Sequence, residues 1–555
     1  MLALTRLRRW VAALALVACA RPEAKEARGP DFQAAELRRV PSAEVRAQLG
    51  SADAPTRVRA ALAAGRIGDA DAVPKLTGLL ADPAAGETAA WALGRIEGGN
   101  EALVRCLAQG CPSMAAAARA LGGPAAVKHP AAEALVAALK GPAADEAAIA
   151  LGMLARQKDL KFPPETWAAL SAALPRPGAA YALSRLPKGP VDPATLRTAL
   201  RANDAWTRSL AARAWGKQGL PVDGLAGAFA DPDWRVRVEA ARGLPGAVDA
   251  ARVLPEAIRE QNNAHVLVAL YEAAAKIGAL PDLPETGSSV VRCAAAQARD
   301  RIRKQLVDTP ACDEPGWRAR ARTGALAAEL GLIEPARAAL HDPDGRVRGA
   351  AAGASTAALS AEVLELLKDP DPYVVQEAAD ALSKDPAAAK NPALAAALAP
   401  HGPAIAVPPE ARAMPQARVL RLRTSRGEMV VDLRPDLAPL TSSALAALAG
   451  RGFYSGLSFH RVVPDFVVQG GDPRGDGEGG PGWALPDEHT PARFLRGTLG
   501  IATSGPETGG SQFFLCHSPQ PHLDGRYTIA GQLRSGGDVL DALQPGDTIL
   551  AASAE

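Results

Sequence analysis

Over residues 45–399 apolar side chains recur at the three- and four-residue intervals of a helix face, and each run is cut by Gly or Asp-Pro. Val58 and Leu62 share one face of a helix that Gly68 and Asp69 should end, and Val73, Leu76, Leu79 and Leu80 form the stripe of a second. The pair then repeats. Ala64-Gly65-Arg66-Ile67 returns 29 residues on as Leu93-Gly94-Arg95-Ile96, and Thr207-Arg208 returns at the same offset as Val236-Arg237. A period near 30 predicts stacked helix–turn–helix units that bury their apolar faces against one another. Asp82-Pro83, Asp231-Pro232, Asp342-Pro343 and Asp369-Pro370 mark junctions, with Asp expected to cap the next helix and Pro to stop the last. From Ala417 the texture changes to alternation. Val419, Leu420 and Leu422, then Met429, Val430, Val431 and Leu433, flank Ser425-Arg426-Gly427 as a hairpin, and Pro439 to Leu448 reads as a helix. The Pro-rich stretch 400–416 between the two textures predicts a stiff spacer and two independent bodies.

Composition agrees with this division. A chain of 555 residues exceeds one hydrophobic core, and abundant Ala with few aromatics suits closely packed helices. The net charge of +2 leaves no basic excess for a phosphate backbone, so no nucleic-acid partner is expected. Residues 1–18 read as an export signal: Arg6, Arg8 and Arg9 precede the short apolar run Trp10 to Val17. Leu16-Val17-Ala18-Cys19 resembles the lipobox of bacterial lipoproteins. That resemblance implies cleavage before Cys19, acylation of its thiol, and membrane attachment through lipid alone. It places the chain on the periplasmic face of the outer membrane of a bacterium, with residues 19–44 as a tether. Export permits disulfides. Cys293 with Cys312, and Cys106 with Cys111, are candidate local pairs, the alternative being buried thiols; no His/Cys spacing suggests a metal site.

Three blocks in the C-terminal part carry the chemistry. They are Phe459-His460-Arg461-Val462-Val463-Pro464-Asp465-Phe466-Val467-Val468-Gln469-Gly470-Gly471-Asp472, then Gly505 to Phe514 with Gly509-Gly510-Ser511-Gln512-Phe513-Phe514 at its end, and Pro521-His522-Leu523-Asp524-Gly525-Arg526-Tyr527-Thr528. In this order and spacing residues 417–555 resemble the cyclophilin family of prolyl isomerases. The resemblance implies a closed eight-stranded antiparallel β-barrel with flanking helices, following an all-α solenoid whose Asp-Pro-x-x-x-Val-Arg units resemble HEAT repeats. Rotation about a peptide bond to proline meets a barrier of ~18–20 kcal/mol from amide resonance, and no bond is broken. Neither nucleophile, metal nor cofactor is therefore expected. The family pattern assigns Arg461 and Gln469 to catalysis. It assigns Phe466, Val467, Phe514 and Leu523 to the proline pocket, Gln512 to the peptide backbone, and Ala502 and Thr503 to a strand that pairs with substrate. His522 stands among the binding positions where cyclosporin-binding members carry Trp, which implies weak cyclosporin binding.

The remaining residues of these blocks have plainer expectations. Phe459 and Phe513 should be core, His460 a structural hydrogen-bonder, and Cys516 and His517 side chains on opposite faces of a strand. Gly475-x-Gly477-x-x-Gly480 reads as a surface loop, not a dinucleotide fingerprint, because Asp476 and Glu478 would repel a pyrophosphate. Ala444, Leu445 and Ala530 depart from the family pattern at positions that bear on stability. Arg57, Arg59, Arg235, Arg237, Arg346 and Arg348 are expected to tie repeats to neighbouring Asp residues. The expected function is an isomerase that acts on proline-containing polypeptides and helps exported proteins fold, with the solenoid binding clients or a partner protein; the alternative is a non-catalytic peptide-binding or scaffold lipoprotein.

Overall fold

The computed structural model describes residues 31–124, 131–279, 287–311, 316–398 and 417–555. The export signal, Cys19, Cys312 and the spacer 400–416 lie outside the described residues.

Helical packing begins earlier than residue 45. Helices Phe32–Arg38 and Ala43–Gln48 occupy the segment expected to be a tether, capped by the side chains of Asp31 and Ser42. Helix Ala54–Ile67 then ends at Gly68, whose φ of 77° is the left-handed conformation that favours glycine, and Val73–Leu79 follows as its partner. Similar pairs continue to Pro392–Ala397. Small side chains let the helices approach closely: Ala60, Ala61, Ala63 and Ala64 are fully buried, and a Cβ on Gly216 would lie 2.0 Å from the Gly243 carbonyl oxygen. The Asp-Pro junctions work differently from expectation. The second acid of each Asp-Pro-Asp caps the helix, as Asp233, Asp344 and Asp371 do. The first accepts an arginine from the preceding unit, with Arg208–Asp231 at 2.7 Å and Arg348–Asp369 at 2.8 Å; Arg57–Asp82, also at 2.8 Å, follows the same rule. Cys106 and Cys111 are joined by a disulfide.

The C-terminal unit is an eight-stranded antiparallel sheet built from β1 (Val419–Thr424), β2 (Gly427–Leu433), β3 (Arg461–Val463), β4 (Val467–Gly470), β5 (Thr498–Ile501), β6 (Phe513–Cys516), β7 (Ile529–Ser535) and β8 (Ile549–Ala554). Its order is β3-β4-β6-β5-β7-β2-β1-β8. The expected closed barrel is not formed; the sheet is a curled half-barrel. Its edge strands β3 and β8 do not pair with each other, and only the isolated bridge Ser458–Thr548 and a few backbone bonds from the segment before β3 span the gap. β3 is too short to continue the ladder. Helices Pro439–Gly450 and Gly537–Ala542 pack on the sheet, and Phe459 and Phe513 are fully buried in its core.

The two halves are not independent. Arginines at or just past the ends of successive helices point out of the array onto the sheet unit. Arg66 donates to the carbonyls of Leu437 (2.8 Å) and His489 (2.7 Å), while Arg95 reaches the Gly525 carbonyl and the His489 ring at 2.8 Å. Arg39 bonds the Asp487 carbonyl and Glu507, both at 2.7 Å, and Arg119 pairs with Asp524. Further along, Arg235 reaches the His517 carbonyl at 3.2 Å, and Asp371 holds Arg474 of the sheet unit at 2.8 Å. Arg235 and Arg346 do not tie one repeat to the next as expected: each pairs with the Asp that caps its own helix and also donates across the interface. Trp234, His265 and His517 cluster between the halves in tilted and edge-on contacts, with ring centroids 4.9–5.8 Å apart.

Candidate functional site

Three neighbouring strands set the polar side of the site. In the antiparallel register Arg461 of β3 faces Gln469 of β4, and Gln469 faces Phe514 of β6. A guanidinium N–H of Arg461 lies 3.4 Å from Gln469 Oε1, and Gln469 Nε2 donates to Gln512 Oε1 at 3.0 Å. Gln512 Nε2 in turn donates to the Gly477 and Gly479 carbonyls at 2.6 and 2.8 Å. The glycine-rich segment is therefore the loop expected, and it anchors the end of this chain of amides. Its Gly477 adopts φ 103°, which suits glycine there. Arg461 remains exposed at its tip, its guanidinium carbon 5.8 Å from the Phe466 ring centroid. Partial burial lowers its pKa from the usual arginine value.

The apolar side lies alongside. Val467, Phe514 and Leu523 join Phe494, Cys516 and Ile529 in one buried cluster, with Phe466, Ala502 and Tyr527 packed at its edge. Phe494 stacks on Phe514 at 5.6 Å, and Tyr527 meets Phe514 edge-on at 5.7 Å. Phe466 follows Asp465, which has φ 55° and whose carbonyl accepts from Ser518 and Gln520, both at 2.9 Å. Burial, with the neighbouring charge of Glu239, pushes the Asp465 carboxyl up to about 7. Phe466 and His522 stack at 5.4 Å, so His522 forms the far wall. Burial and then the charges of Arg185 and Arg156 push its imidazole down to about 3.

Some expectations change here. Ala502 and Thr503 fall just past the end of β5, although the Ala502 N–H still bonds the Gln512 carbonyl at 3.0 Å. His460 is no structural hydrogen-bonder: neither ring nitrogen has a partner among the described residues. Cys516 is fully buried and its thiol pKa is raised by burial, and His517 points to the interface with the array. Cys293 and Cys312 lie far from the site in sequence, and Cys312 is outside the described residues. Ala444, Leu445 and Ala530 are buried within the sheet unit's cores. Arg461, Gln469, Phe466, Val467, Gln512, Phe514, His522 and Leu523 are all brought together.

Comparison with known proteins follows this geometry. The family model for cyclophilin type peptidyl-prolyl cis-trans isomerases matches residues 419–553, and that for HEAT repeats matches residues 42–122. A peptidyl-prolyl cis-trans isomerase of Synechococcus elongatus is 46% identical over 132 residues, which is 23% of this chain and 91% of that protein. Peptidyl-prolyl cis-trans isomerase B of Bacillus subtilis is 46% identical over 120 residues, 21% of this chain and 84% of that one. This chain belongs to the cyclophilin-type peptidyl-prolyl cis-trans isomerases. Two further rings support the pocket of its cyclophilin unit: Tyr527 lies in the Pro521–Thr528 block, whereas nothing in the sequence marks Phe494. Arg156 and Arg185 of the array also reach the site, and no sequence signal connected them to His522, 366 and 337 residues away.

Proposed function

We propose that the groove between Arg461 and the Phe466–Phe514 cluster catalyses proline isomerisation in exported polypeptides. The carrying observation is that one guanidinium, held by an anchored row of amides, stands directly beside an aromatic-walled pocket. Phe466, Val467, Phe514 and Leu523 grip the proline ring by excluding water from it. Arg461 then donates toward the prolyl nitrogen as the amide twists, engaging the lone pair that resonance otherwise holds in the planar form. An interaction stronger in the twisted state than in either planar state lowers the barrier. Gln469 fixes the direction of the guanidinium, and a rigid fork of donors suits this better than a Lys point charge. Gln512, Ala502 and Thr503 guide the peptide backbone along the groove.

The array serves here as the holder of the isomerase unit: its arginine row is already engaged, so a client or partner protein would meet its other surfaces. Acylation at Cys19 would keep this assembly at the periplasmic face of the outer membrane, in the compartment that exported chains enter. The test is isomerase turnover by the full chain on a proline tetrapeptide. Arg461→Ala should lower kcat/KM about a hundredfold, the size typical of losing one preorganised donor. Unchanged turnover in that variant overturns the assignment.

A further inference from the structure

The array contributes charge to the isomerase groove itself. Arg185, from helix Pro177–Arg185, approaches His522 Nδ1 at 3.5 Å, and Arg156 approaches the His522 carbonyl at 3.4 Å. His522 stacks on Phe466, over which Arg461 sits, so these groups form one continuous wall. Arg526 of the cyclophilin unit belongs to the same cluster, close enough to Arg156 for repulsion between them to lower its pKa further after burial.

Of the acids nearby, Asp465 is buried beside Glu239 with one carboxyl oxygen unpartnered and no ion pair among the described residues, and the others are engaged. Arg119 takes Asp524 and Glu146, and Arg213 and Arg242 share Glu239. Among the described residues Arg156, Arg185, Arg461 and Arg526 form no ion pair. The Nε–H groups of Arg185 and Arg526 and the hydroxyl of Tyr181 are buried without a hydrogen-bond partner. Tyr181 is 2% exposed, and Arg185 lies 5.3 Å over its ring. Several cations gathered beside a peptide groove without ion-pair partners of their own repel one another, and an anion supplied by the substrate relieves that repulsion.

We infer that Arg156 and Arg185 extend the substrate groove and select proline segments bearing a carboxylate side chain next to the proline. The inference rests on the isomerase reading of the groove. It gives the array a part in specificity that a cyclophilin unit alone would lack.

The test uses the full chain at low salt and two sets of tetrapeptides, with Glu, Gln or Lys immediately before or immediately after proline. In one set kcat/KM for Glu should exceed that for Gln about fivefold, the size of one partly exposed charge pair, and Lys should be poorest. The preference should shrink as salt is raised. In Arg156→Gln/Arg185→Gln the Glu-to-Gln ratio should fall toward one. That ratio does not depend on the fraction of enzyme folded, so a destabilised variant still answers the question. Equal rates for Glu and Gln in both sets, or a preference that survives the double substitution, overturns the inference. No turnover of any peptide by the unaltered chain overturns the isomerase reading and this inference with it.

Discussion

Arg119 of the helical array and Asp524 of the cyclophilin unit form an ion pair across 405 residues of sequence, and the same carboxylate accepts the Phe494 N–H at 2.8 Å. Phe494 stacks on Phe514, so this pair connects the array to the floor of the proposed proline pocket. Both side chains are mostly buried, at 15% and 11% exposed. Removing one member leaves the other charge without its partner, which costs more than the pair contributes. Arg119→Met should therefore destabilise the docked chain by about 3 kcal/mol in urea unfolding. Faster hydrogen exchange at the Phe494 amide should accompany it. Unaltered exchange there would separate the array from the pocket.

Gly500 on β5 lies beneath Phe514 and Phe494, the two rings of the proposed pocket. A Cβ at this position would come within 2.5 Å of Phe514 and 2.6 Å of Phe494. Gly500→Ala should push Phe514 into the groove and lower kcat/KM about tenfold or more, since a misplacement near 1 Å can cost a hundredfold. The fold should persist, because only ring positions need shift; circular dichroism alongside the turnover assay checks both.

His489 provides a pH dependence. Its Nδ1 lies 2.8 Å from Arg95, with Asp487 3.8 Å from its Nε2, and burial followed by the charge of Arg95 pushes the imidazole from 6.5 down to about 3. A depressed folded value means the unfolded chain takes the proton first. The stabilisation is therefore complete above pH 6.5 and is lost as pH falls toward 3. Relative to His489→Gln, the native chain should lose ~1.4 kcal/mol per pH unit through that window. Parallel stability curves for the two proteins would contradict this.

The repeats, the hairpin and the cyclophilin groove were legible because each is written locally. Helical spacing, Asp-Pro junctions and near-continuous motifs all fall within short stretches. Even the arginines of the repeated Gly-Arg-Ile element, Arg66 and Arg95, were visible as a pattern. Their target was not. Arg66 meets Leu437 and Arg95 meets Gly525, partners hundreds of residues away that no local period encodes. The Pro-rich spacer suggested separate bodies because spacer composition says nothing about surfaces that meet beyond it. The closed barrel was an implication of the family resemblance, whereas pairing of β3 with β8 depends on how far the short β3 runs. The helices at Phe32 and Ala43 escape the periodic pattern because they are short, seven and six residues.

The account turns on the array and the cyclophilin unit forming one body. The most direct measurement introduces a protease site within residues 400–416, cleaves the folded chain, and follows the fragments by gel filtration at neutral pH and low salt. Co-elution, with the pieces separating once high salt weakens the arginine contacts, is the predicted result. Immediate separation under the first conditions would contradict the docked arrangement and leave the array and the cyclophilin unit as two independent bodies.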